Sequence, residues 1–154
     1  MGINFTVERL PWRRCLHDAE IGKYDGIIGI GWSAERGVVY DFPYNTDNKP
    51  DPLLAITAVD YYIYTKLDSK LVWDGERLSG VVHGLAAPRG YVVETTLQQM
   101  NAHKPLDSGM QASVSLLNNN RIDGIVMVDL VADQQIAELK RANIARLEPP
   151  FYRQ

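Results

Sequence analysis

The sequence predicts an α/β protein built from helix-then-strand units, and three observations lead there. A helical apolar period over residues 11–21 hands over to the apolar run "DGIIGIGW" at 25–32. The same order returns later, where Met110, Val114 and Leu117 share a helical face and "IDGIVMVDL" follows at 122–130. Between the two lies "PYNTDNKPDP", residues 43–52, the most turn-rich piece of the chain. A helix feeding a continuously apolar strand is the pattern of strands buried on both faces of a parallel sheet.

The elements follow in chain order. Residues 3–7, "INFTV", alternate apolar and polar as a half-buried strand does. From Pro11 to Ile21, Trp12, Leu16 and Ala19 fall on one helical face, Pro11 suits the first turn and Gly22 supplies a stop. Residues 25–32 then read as a buried strand. Beyond the turn-rich segment, "AVDYYIYTK" has the aromatic and β-branched content of a strand. "LSGVVHG" at 78–84 reads as a short strand entered from a turn. Val93, Leu97 and Met100 mark one helix, Ala132, Ile136 and Leu139 another, and "NIARLEP" closes as a strand.

Composition excludes several classes. The 154 residues are 45% hydrophobic and 23% charged, enough for one ordinary domain with a core. A net charge of −3 gives no electrostatic case for nucleic acid. No apolar run approaches a membrane span, and no basic-then-apolar leader opens the chain, so an exported protein would carry its signal outside this sequence. Cys15 alone cannot form an internal disulfide. His17, His83, His103 and Cys15 lack metal-ligand spacing. "GWSAE" misses the nucleophile elbow, and no phosphate-cradling P-loop occurs, so neither metal nor cofactor is expected.

Open α/β sheets bind ligands at the carboxyl ends of their strands. Three such ends can be named: Ser33 with Arg36, His83-Gly84-Leu85, and Asp129. The planar fork of Arg36 suits a carboxylate, to which a serine hydroxyl and backbone amides can add. Asp129 offers the opposite charge, and the two together suit a zwitterion such as an amino acid. Each residue also has a structural reading. Ser33 and Asp129 are fit helix N-caps, Arg36 a surface charge beside Glu35, and His83 a loop histidine.

The segment "LPWRRCLHDAEIGKYDGIIGIGWSAERGVVYDFPY", residues 10–44, resembles the first lobe of amino-acid-type periplasmic solute-binding proteins, family 3. It shares a strand ending in Pro-Trp, a helix, a Gly-x-x-Asp-Gly strand, a [Ser/Thr]-x-x-Arg and a Phe-x-x-Tyr-like stretch. "WDGERLSGVVHG" at 73–84 resembles the approach to the second lobe, and "LLNNNRIDGIVMVD" at 116–129 its acid-bearing strand. The resemblance implies a type II-like periplasmic binding protein fold, with one complete parallel-sheet lobe and a partial first lobe. It implies that Arg36 grips a ligand carboxylate, helped by Ser33 and the backbone near Gly31. It further implies that the Gly84–Leu85 loop closes over the same group and that Asp129 receives the amino group.

The expected divisions are a partial first lobe at 1–45, a hinge at 46–54, a second lobe at 55–150 and the start of a return crossover at 151–154. The family's further strand and helix before "INFTV", and its return after "PPFY", have no counterpart in this sequence. Asp129 also falls one position later than the family's usual acid, and Leu85-Ala86 stand where relatives place Ser or Thr. The implied function is extracytoplasmic capture of an amino acid or similar small carboxylate between two lobes, in the periplasm. An ABC permease would be the partner and no covalent chemistry would occur. The bare edge of the partial lobe implies a homodimer or domain swap. Two alternatives use the same fold. One is a cyclohexadienyl dehydratase-like enzyme, using His83, Glu94 or Asp129 as acid–base group, and the other is the sensor domain of a histidine kinase.

Overall fold

Residues 60–66 and 124–128 organise the larger part of the chain, because each alternates its side chains between two apolar layers. The computed structural model describes residues 2, 4–106, 110–138 and 143–153. The chain divides into two compact units, Met1–Phe42 and Pro43–Gln154.

In the first unit, helix α1 spans Trp12–Glu20. Pro11 precedes it in an extended conformation (φ −55°, ψ 137°), where a missing N–H costs nothing. Gly22 ends it with φ +72°, a left-handed conformation that closes a helix most readily without a Cβ. The N–H of Gly22 donates to Ala19 O at 2.9 Å and that of Lys23 to Asp18 O at 2.8 Å. Asp18 also accepts from Lys23 Nζ at 2.9 Å and lies 3.4 Å from Arg14 Nε; the lysine above all holds its carboxyl below the usual range. A 3-10 turn, Arg36–Val38, follows, and the hydroxyl of Tyr40 just beyond it donates to Leu16 O at 2.9 Å.

Two expectations for this unit are corrected. Residues 4–7 and 25–32 form no strand, Ile28 and Gly29 lie in a turn, and Ile28 is 69% exposed. Ile3 lies outside the described residues. Strands exist only as partners in a ladder, and nothing described in 4–42 pairs with either segment.

The second unit carries a four-stranded sheet in the order β4-β5-β1-β6. Strand β1 is Asp60–Lys66, β4 Leu85–Ala86, β5 Gly124–Val128 and β6 Ile144–Arg153. A separate two-stranded hairpin pairs β2, Val72–Trp73, with β3, Leu78–Ser79. The sheet contains the expected parallel pairing, β4 with β5, and joins it to two antiparallel ones, β5 with β1 and β1 with β6. The register of β1 on β6 shifts between Tyr61 and Ile63, where Pro149 and Pro150 offer no N–H to a ladder.

Helices cover both faces. On one, Tyr61, Ile63, Leu85 and Val126 pack with Val93 and Leu97 of α2 (Val92–Gln99) and with Leu71, Trp73 and Phe151. On the other, Tyr62, Tyr64, Ile125 and Met127 pack with Val114 and Leu117 of α3 (Met110–Asn118) and Ala132 of α4 (Asp129–Glu138). The three helices and the closing strand stand where the sequence places them; Leu139 lies outside the described residues. The strand read at 78–84 is limited to β3, and the chain re-enters the sheet only at Leu85.

Candidate functional site

The parallel pairing of β4 and β5 defines which edge of the sheet carries carboxyl ends, and both strands run from there straight into helices. After Ala86 come Ala87, Pro88, Arg89, Gly90 and Tyr91, then α2. After Val128 comes Asp129, the first residue of α4. Antiparallel β1 brings its amino end to the same edge, with Tyr61 opposite Val128 and Tyr152 opposite Tyr61. Tyr61 meets Tyr91 edge-on at 6.4 Å between ring centroids and Tyr152 at 6.0 Å. An acid, a helix-opening loop and a tyrosine cluster therefore share this edge.

Glu94 organises the loop. Its Oε2 accepts the Gly90 N–H at 2.7 Å, one turn back, in the manner of a capping box. Its Oε1 lies 3.7 Å from Nε2 of the half-buried His103. Asp129 is half-buried, and its Oδ1 accepts the N–H of the adjoining Leu130 at 2.7 Å, one residue short of the N2 or N3 donor that an N-cap side chain takes.

Gly84 and Leu85 stand at the opposite, amino edge of β4. The loop at the carboxyl end of this strand is 87–91, so the placement of Gly84 and Leu85 there is corrected. Both of their backbone donors are engaged inside the unit: Gly84 N–H donates to Asp123 Oδ2 at 2.8 Å and Leu85 N–H to Ala102 O at 2.7 Å. Gly84 has φ +88°, and a Cβ there would lie 3.0 Å from Ala102 O, so backbone conformation and packing account for this glycine. Leu85 is fully buried. Asp123 also accepts the N–H groups of Val82 at 2.8 Å and His83 at 2.6 Å. One carboxylate thus closes the whole turn before β4.

In the first unit, Gly31, Ser33 and Arg36 are brought together. Arg36 Nη1 donates to Gly31 O at 2.8 Å, and its guanidinium lies 5.8 Å from the Trp12 ring centroid. The Arg36 N–H donates to Ser33 Oγ at 3.2 Å, which closes the turn leading into the 3-10 segment. The three residues sit on an irregular segment rather than at a strand end. The acid–base candidates are dispersed, since Glu94 is tied to Gly90 and His103 while His83 is exposed at the amino edge.

No protein-family model matches the chain, and no curated protein matches it. Solved structures do. A mutant of the arginine-binding protein of T. maritima superposes over 99% of this chain with a TM-score of 0.74 at 17% identity. The substrate-binding protein of an amino acid ABC transporter covers 96% at a TM-score of 0.70 and 20% identity. A histidine kinase sensor domain with similarity to periplasmic binding proteins covers 94% at 0.73 and 20%.

The fold is that of the type II periplasmic binding proteins. The chain spans 62%, 60% and 59% of the lengths of these three structures. In this periplasmic-binding-protein fold the carboxyl edge of β4 and β5 was legible only in part. Asp129 is apparent from the sequence, and "PRG" at 88–90 is a turn signal directly ahead of a helix. The tyrosine cluster and Asp123 carry no motif; pairing across distant strands and loops creates both.

Proposed function

We propose that the chain is part of an extracytoplasmic solute-binding protein that captures an amino acid or a similar small carboxylate for an ABC importer in the periplasm. The observation that carries this reading is Arg36 within this fold. Its guanidinium is held by the Gly31 carbonyl and the Trp12 ring, the preorganisation that a bidentate carboxylate contact requires. Ser33 and the backbone at Gly31 support that contact, and Asp129 is the acceptor for the ligand's amino group. Gly84 and Leu85 act indirectly, by seating β4, and the 87–91 loop supplies the contacts first expected of them. The role is binding without covalent chemistry. Among the described residues no helix is long and apolar enough to cross a membrane.

The test is calorimetric titration of amino acids and small carboxylates against Arg36→Ala and Arg36→Lys in the full-length protein. Loss of the fork should weaken binding by about 2–5 kcal/mol in both variants, since lysine cannot reproduce it. The melting temperature without ligand should barely change. Undiminished binding by Arg36→Ala would remove the assignment.

The sensor-domain reading is supported by the histidine kinase sensor domain among the similar structures; it assigns Arg36 and Asp129 the same ligand and differs only in the output. We further propose that the chain self-associates through the first unit, which exposes Phe5, Val7, Ile28 and Val38. Sedimentation should show a concentration-dependent dimer; a monomer at high concentration would exclude it.

A further inference from the structure

We propose that the amino edge of the sheet in the second unit binds a phosphate-class oxyanion, at a site separate from the carboxyl edge and independent of the function proposed above. Two adjoining depressions open there, of about 260 and 510 Å³, and they share His83, Asn120 and Ile122. The first is lined by Lys66 and Lys70, the second by Lys104 and Arg121. Four cations from separate stretches of chain therefore gather at one edge of a protein whose net charge is −3.

In the first depression Asp68 and Asp123 offset Lys66 and Lys70, so the uncompensated positive charge is that of the second. Asp123, at the rim of the first depression, also accepts three backbone N–H groups. Asp68 pairs with Lys66 at 3.4 Å. No carboxylate lines the second depression among the described residues, and neither Lys104 nor Arg121 has an ion-pair partner among them.

A helix C-terminus is the ordinary reason for cations to collect, and α3 does end here. Three of its terminal carbonyls are satisfied without them. Ser115, Leu116 and Leu117 O accept the N–H groups of Asn119, Arg121 and Asn120 at 3.1, 2.8 and 3.1 Å.

The remaining groups complete an oxyanion site. Arg121 offers a fork and Lys104 a point charge. Asn120 Oδ1 is engaged by Lys66 Nζ at 3.0 Å, which leaves the amide N–H groups of Asn120 as donors. Leu106, Leu116 and Ile122 form an apolar floor beside the cations, which favours a phosphate monoester with a small organic body over free phosphate.

Amide-detected NMR titrations with inorganic phosphate and with glycerol phosphate, at constant ionic strength against sodium chloride, test this. Saturable shifts are expected at His83, Lys104 and residues 119–122, with tighter binding of the monoester. The exposed pair Lys104→Ala and Arg121→Ala together should raise Kd about tenfold or more, and Arg121→Lys alone several-fold. If thermal melting shows the double variant to be destabilised, the Arg121→Lys comparison decides. Shifts no larger than those with chloride, or saturable binding unchanged in the variants, would overturn the proposal. The result is distinguishable from amino-acid binding, which would report at Arg36 and Asp129.

Discussion

Tyr64 shows how one side chain couples a strand to a helix. It is 2% exposed, and its hydroxyl donates to Asp133 Oδ1 at 2.8 Å. Asp133 lies one turn beyond Asp129 on α4, so the bond fastens the helix that carries the candidate acid. Burial first, and then this hydrogen bond, push the phenol well above its ordinary value of 10.0. The folded state therefore holds the proton more tightly than the unfolded state does. That contribution is complete below pH 10 and is lost as pH rises towards the folded-state value. Tyr64→Phe should cost about 1 kcal/mol near neutrality and flatten the alkaline loss of stability. Denaturant unfolding from neutral to alkaline pH would check it; an unchanged alkaline slope would show that Tyr64 is not the group responsible.

At the scale of elements, β4 is two residues long yet central to the second unit. Leu85 packs in the layer with Val93 and Leu97, while Ala86 faces Val114 and Leu117 on the other side. The turn before it is closed by Asp123 and the loop after it by Glu94. Leu85→Ala should lower the stability of the second unit by about 2–5 kcal/mol, the usual cost of emptying a buried leucine site. Urea unfolding followed by Trp73 fluorescence would measure it. A loss under 1 kcal/mol would mean that Leu85 is not part of the core, and would return it to the list of ligand contacts.

At the scale of the whole molecule, the two units differ in how they are held. Among the described residues of 1–42 the only buried one is Asp18, whereas the second unit buries an apolar layer on each face of its sheet. A unit without a buried apolar side chain has little to oppose chain entropy and opens at low free energy. Limited proteolysis should therefore cut within 1–42 before it cuts within the sheet of 43–153. Equal resistance of both parts would show that the first unit is covered in solution. Self-association through that unit should slow the early cuts as protein concentration rises.

Local chemistry alone determined the helices, the helix stop at Gly22 and the strand at 60–66. Each depends on a periodicity, a left-handed glycine or a run of aromatic and β-branched residues, and all of these are properties of neighbours in sequence. Arg36 with Ser33, and Asp129, were nominated as candidate ligand contacts for the same reason. Tertiary structure decided the rest, as "YDGIIGIGW" and "IDGIVMVDL" show most directly. The second run contains β5, with β4 on one side and β1 on the other to satisfy its backbone, while the first has no described ladder partner and folds as turns. The same dependence separated the 87–91 loop from Gly84 and Leu85. Which end of a strand faces a helix-opening loop depends on where the chain enters the sheet, and here the capture of three backbone N–H groups by the distant Asp123 delays that entry to Leu85. A strand's hydrogen bonds are made to residues far away in sequence, so apolar character can nominate a strand but only its partners can make one.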